Sequence, residues 1–90
     1  MWTMCISTGI GYRHPIEHTL QPIREAGFET LEISTAPQHL DLSSAAALQT
    51  LHRRIEQAGL RVHSLHAPFG HDVNITSPDA SQRRAALDRL

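Results

Sequence analysis

Ninety residues, 40% of them hydrophobic and 19% charged, fit one soluble globular unit and exclude a disordered chain. A formal net charge of −1 leaves no basic face to release counterions, which excludes nucleic-acid or membrane partners held by bulk electrostatics. Cys5 is the single cysteine, the opening residues are too short and uncharged for a signal peptide, and no stretch approaches a membrane span, so a reducing, cytoplasmic setting is expected.

Met4 to Thr8 reads as a short apolar strand stopped by Gly9-Ile10-Gly11. His14-Pro15 then opens a helical stretch in which Ile16, Leu20 and Ile23 recur at four and three residues, ending at Ala26-Gly27. Pro22 sits badly there: either the helix kinks, or its regular part begins near Gln21 with the proline in the first turn. A second strand follows over Phe28–Ile33, and a polar connection runs from Ser34 to Leu42. Ser43 or Ser44 caps the clearest helix, whose stripe is Leu48, Leu51, Ile55 and Ala58 and whose stop is Gly59.

Leu60 to His66 is the third strand, broken by Ala67-Pro68-Phe69-Gly70. Ser77-Pro78-Asp79 supplies a capping hydroxyl, a first-turn proline and a carboxylate near the positive end of the dipole. Ala80, Ala86, Leu87 and Leu90 continue a helical pattern to the last residue, with no stop signal. Strands alternating with helices imply βαβ units, a parallel sheet and right-handed crossovers. Three such strands leave two edges and one face open, so the expectation is part of a larger barrel. The alternative is a self-contained αβ domain completed by dimerisation.

In a parallel βα architecture reactive groups gather at the C-terminal ends of the strands. Those ends carry Ser7 and Thr8, Glu32 and Ile33, and Ser64 and His66. Strict alternation puts Leu31 and Ile33 against the helices and Glu32 inward, and groups Val62, Ser64 and His66 on one face. A carboxylate and an imidazole on neighbouring strands suit a divalent metal or a polyol, although zinc sites take three or four protein ligands. The structural alternative is a rim salt bridge for Glu32 and a loop cap for His66.

The chain has seven histidines, and exposed positions on helices and loops are the default for each taken alone. His63 and His66 are an odd number apart, so a strand sends their rings to opposite faces. His14 and His18 read as a solvated face, and His71 follows a glycine in a loop from which it would swing toward the rim. Gly9-Ile10-Gly11 lacks the third glycine of a dinucleotide fingerprint. Cys5 lies within a strand, where a buried, inert thiol is the expectation. Arg83-Arg84, near Asp79 and Asp88, reads as a charged helix face.

Ile6-Ser7-Thr8-Gly9, His14-Pro15-Ile16-Glu17, Glu25-Ala26-Gly27-Phe28-Glu29, Leu31-Glu32-Ile33 and Ser64-Leu65-His66-Ala67-Pro68-Phe69 occur in one order, closed by Ile75-Thr76-Ser77-Pro78-Asp79. In this the chain resembles the start of the sugar phosphate isomerases/epimerases of the xylose-isomerase-like TIM barrel superfamily, which also holds ketose 3-epimerases, inosose dehydratases and endonuclease IV. His-Ala-Pro after the third strand is the most specific piece. The resemblance implies an α/β fold consisting of the N-terminal three βα units of a (β/α)8 TIM barrel, incomplete in this chain, with residues 1–90 forming one part without an internal boundary.

The resemblance further implies a parent enzyme that uses a divalent metal (Mn, Mg, Co or Zn) to move a proton next to a carbonyl of a sugar or sugar phosphate. His66 matches a histidine that binds zinc in endonuclease IV and faces substrate in the epimerases. Glu32 matches a substrate-contacting carboxylate. The remaining ligands and acid/base groups of such enzymes lie on later strands, so no catalytic residue is assigned here. The expected activity of the chain alone is therefore none, and the fragment is expected to self-associate. An endonuclease IV-like metal hydrolase ranks lower, because the loops offer few basic residues.

Overall fold

In a computed structural model of the chain, which describes residues 2–90 except the side chain of His71, strands and helices alternate. Strand β1 (Cys5–Ser7) leads through a 3-10 turn (Thr8–Gly11) to helix α1 (Glu17–Glu25). Strand β2 (Thr30–Ile33) precedes α2 (Ala45–Gln57), and β3 (Arg61–Leu65) precedes a 3-10 turn (His71–Val73) and α3 (Ala80–Arg89). The strands form one parallel sheet in the order β1-β2-β3. This is the mixed α/β arrangement expected of βα units. No helix among the described residues is long and apolar enough to cross a membrane.

Both interior helix stops work by one device. Gly27 (φ 98°) and Gly59 (φ 75°) take the left-handed conformation that a side chain resists. Each lets the next residue donate back into the helix, Phe28 N–H to the Ile23 carbonyl and Leu60 N–H to that of Ile55. All four of those side chains belong to the core cluster or pack against it, so the turns that end the helices also feed the sheet.

Helix α1 runs through Pro22 rather than beginning beside it. The bond that the proline withholds would have reached the carbonyl of His18, an exposed residue where water can replace it. Of the two candidate caps for α2, Ser44 is the one used, its Oγ accepting from Ala47 N–H at 3.1 Å.

At α3 the expectation of a serine cap is corrected. Asp79 is the N-cap, and its carboxylate accepts from the backbone N–H of both Ser81 and Gln82. The buried Ser77 lies two residues earlier, where its Oγ accepts from Asp79 N–H. A carboxylate accepting several hydrogen bonds is held charged: the Ser81 hydroxyl, then the amides of Gln82 and Ser81, lower the Asp79 pKa below its ordinary 3.8. With the folded value depressed, the cap's contribution is present above the unfolded value and is lost as pH falls through the folded one. The Ser81 and Gln82 amide resonances should therefore shift together below pH 3.8, and Asp79→Asn should abolish that titration.

The core lies on one side of the sheet, where Leu31 and Ile33 of β2 meet Ile16, Leu20 and Ile23 of the α1 segment and Ile55 and Leu60 from the end of α2. Leu51 and Ala58 join from the α2 stripe, while Leu48, also in that stripe, is 37% exposed. Ahead of α1 the turn packs closely: a Cβ on Gly11 would lie 2.5 Å from Oγ1 of the buried Thr19.

Strict alternation fails on β3. Val62 pairs with Leu31, but the next partner of β2 is Ser64, opposite Glu32, so His63 is skipped at an irregularity in the register. Val62 and Ser64 are therefore matched to opposite faces of β2, not to one, because the extra residue resets the period of two. Helix α3 packs mainly against the turn at residues 71–73, where it buries Ala86. Val62 and Leu65 on edge strand β3 are left 48% and 51% exposed. Cys5 is likewise exposed, not buried as expected: it shares with its partner Thr30 the sheet face opposite the one on which Leu31 and Ile33 meet the core cluster.

Candidate functional site

The pleat of β2 sends Leu31 and Ile33 into the core and leaves Glu32 half-buried on the other face. The register aligns Ser7, Glu32 and Ser64 across the three strands as one polar row. Ser64 Oγ donates to Glu32 Oε2 at 2.9 Å, which orients the carboxylate and leaves further lone pairs to accept hydroxyl protons.

His66 follows β3 directly and extends its ladder, the backbone N–H donating to the Ile33 carbonyl at 2.9 Å. Its side chain is held at one nitrogen. Nδ1 lies 2.8 Å from the Ala67 carbonyl oxygen, which can only accept, so Nδ1 carries the proton and in the neutral ring Nε2 keeps its lone pair. The ring also meets the edge of Phe69, centroid to centroid 5.2 Å at 64°. A histidine that donates one N–H to a backbone carbonyl has the arrangement that turns its other nitrogen into a metal ligand or a hydrogen-bond acceptor.

Above the polar row, at the C-terminal ends of the strands, lies an open cleft of about 590 Å³, within the size range of small-molecule sites. Ser7, Gly9 and Tyr12 form one wall and Ser34 and Thr35 a second, with His66 and Phe69 across from them. The Tyr12 hydroxyl accepts from Arg13 Nε–H at 2.9 Å, and the guanidinium lies 5.4 Å from the ring centroid. Arg89, at the end of α3, brings a cation to the cleft and pairs with Asp72 at 2.6 Å.

The two residues singled out from the sequence therefore hold different places. His66 lines the cleft, whereas Glu32 is not among its lining residues and belongs to the polar row. The donor set fits a metal at one position, through His66 Nε2. Among the described residues no group of three His, Cys, Asp or Glu side chains converges to hold an ion. The expectation for the His71 side chain falls outside the described residues.

Sequence reasoning missed Tyr12, Ser34, Phe69 and Arg89 as lining residues. The first three follow or flank strand ends, and that position was their available signal. It also treated His39 as an ordinary exposed histidine. His39 is 3% exposed and hydrogen-bonded at both ring nitrogens.

A family model described as xylose isomerase-like TIM barrel matches residues 20–90. No curated protein and no solved structure matches the chain.

Proposed function

The chain belongs to the xylose isomerase-like TIM barrel family, and from that premise we propose that it supplies the first three βα units of a metal-dependent sugar or sugar-phosphate isomerase/epimerase. In this reading residues 1–90 are one continuous part of a (β/α)8 barrel, and the remaining ligands and the general base come from later units. The observation that carries the reading is His66, tethered at Nδ1 by the Ala67 carbonyl and lining a cleft at the end of the sheet where barrel enzymes do their chemistry.

Within that site His66 Nε2 would bind the metal or accept from a substrate hydroxyl. Glu32, oriented by Ser64, would accept from a second hydroxyl. Ser7, Ser34 and Thr35 would add hydroxyls that exchange hydrogen bonds with a polyol, and Phe69, edge-on to the His66 ring, would offer an apolar surface to its carbon face. A divalent ion (Mn, Mg, Co or Zn) would supply Lewis-acid stabilisation of oxygens next to the carbon that loses its proton.

The test is His66→Ala in the complete enzyme, read by Mn²⁺ retention and by epimerase turnover. Both should fall by at least about tenfold, since even outer-shell partners of a metal contribute that much, with the far-ultraviolet circular dichroism unchanged. Turnover and retention at wild-type levels would leave His66 a structural residue.

A second reading is favoured by Val62 and Leu65, half-exposed on the edge strand β3. It takes the chain as a non-catalytic module that pairs with itself or with another chain along that edge. Sedimentation of the ninety residues alone tests the pairing: a concentration-dependent oligomer is expected of an open-edged barrel piece and of a pairing module alike, and a sharply melting monomer removes both. Turnover by the complete protein separates the two.

A further inference from the structure

The buried His39 belongs to neither the polar row nor the cleft lining, yet it touches the two loops that build the cleft. It sits in the turn between β2 and α2, where its backbone N–H donates to the carbonyl of Ala36, a cleft residue. Nε2 lies 2.8 Å from the His14 carbonyl oxygen and 3.1 Å from that of Gly11. Both oxygens can only accept, so Nε2 must carry a proton.

Nδ1 lies 3.1 Å from Oγ1 of Thr8, which is fully buried. That oxygen already accepts from Ser34 N–H at 2.8 Å, so its own proton is free to go to Nδ1. Every donor in this cluster thus meets an acceptor when the ring is neutral and protonated on Nε2. The result is a clasp between the 8–14 loop, which carries Gly9 and Tyr12, and the 34–40 loop, which carries Ser34 and Thr35.

We propose that His39, as the neutral Nε2–H tautomer, is a positioning residue that locks these two loops together and so sets the width of the cleft between Tyr12 and Ser34. Its consequence for ligands rests on the proposed function, but the clasp itself does not. From a single buried point on the 34–40 loop the imidazole reaches three oxygens of the 8–14 loop, 25 to 31 residues earlier in the chain, so no local turn could substitute for it.

Three measurements on the intact protein decide this. A long-range proton–nitrogen correlation spectrum of wild type should show His39 protonated at Nε2 and bare at Nδ1; a ring protonated at Nδ1 overturns the assignment. In His39→Leu, hydrogen exchange of the Ser34 amide should rise at least about tenfold while the Leu31 and Leu60 amides keep their protection. His39→Gln, which keeps a donor for the two carbonyls, should recover most of that protection. A uniform rise across Ser34 and the core would mean a merely structural role, and an unchanged Ser34 would mean no clasp; either sinks the proposal.

Mn²⁺ titration followed at the Tyr12 and His66 resonances separates the two ideas. A wild type that ignores Mn²⁺ counts against the proposed function alone, and the tautomer and exchange results still stand. A wild-type response kept in full by His39→Leu overturns the positioning role.

Discussion

Leu31→Ala should cost about 3–4 kcal/mol of unfolding free energy, read as a lower urea midpoint at constant slope. Leu31 is fully buried at the middle of the central strand, flanked in register by Ile6 and Val62. Its side chain faces the cluster formed by α1 and the end of α2, and neighbours on a three-stranded sheet can move little to refill the space. Total stabilities of about 0.05–0.15 kcal/mol per residue mean that a loss of this size leaves a chain of ninety residues close to its threshold. A cost below about 1 kcal/mol would show that this cluster is not the core. Ile33→Val, which removes one methylene from the same face, should cost only about 1 kcal/mol.

Thr8→Val should cost about 2–4 kcal/mol although it keeps the shape of the side chain. The substitution removes one hydroxyl from a site with no access to water, and that hydroxyl serves two partners. Ser34 N–H loses its acceptor and His39 Nδ1 loses its donor. Two buried polar groups are left unsatisfied, and the penalty falls on the folded state alone. Thr8→Ser keeps the hydroxyl and should cost about 1 kcal/mol or less, the value of a buried methyl. Combined with His39→Leu, Thr8→Val should be clearly less than additive, because the two residues share one network. Full additivity in a double-mutant cycle would dissolve the network into separate bonds.

Much of the architecture was legible before any coordinates. The alternation of strand and helix, the two glycine stops and a serine cap on α2, at Ser43 or Ser44, are local events, each decided within a few residues by backbone sterics or a nearby hydrogen bond. Glu32 facing away from the core followed from the period of a strand, and the structure agrees because β2 is regular throughout. His66-Ala67-Pro68 marked the family, and the match over residues 20–90 bears that out.

Where the reading failed, a longer-range contact had overridden a local pattern. On β3 the period of two should have placed Val62 with Ser64, but the skipped residue His63 depends on pairing with a partner thirty residues earlier. Cys5 follows its strand pattern and is exposed all the same, because its side of the sheet is the one opposite the core cluster. Ser77 and Asp79 are both good caps by chemistry, and the choice of Asp79 depended on where the helix began.

The sequence by itself therefore determined the order of the elements, the helix stops, the side of β2 that meets the core, and the family. Those properties rest on periodicity and on bonds between near neighbours, which a linear pattern records. Only the tertiary structure decided the register of β3, the cleft walls and the burial of His39. Its ring joins Thr8, Gly11 and His14 across 25 to 31 residues of chain. No spacing in the sequence encodes that contact, because it exists only after the β1 and β2 loops have been brought side by side by the sheet.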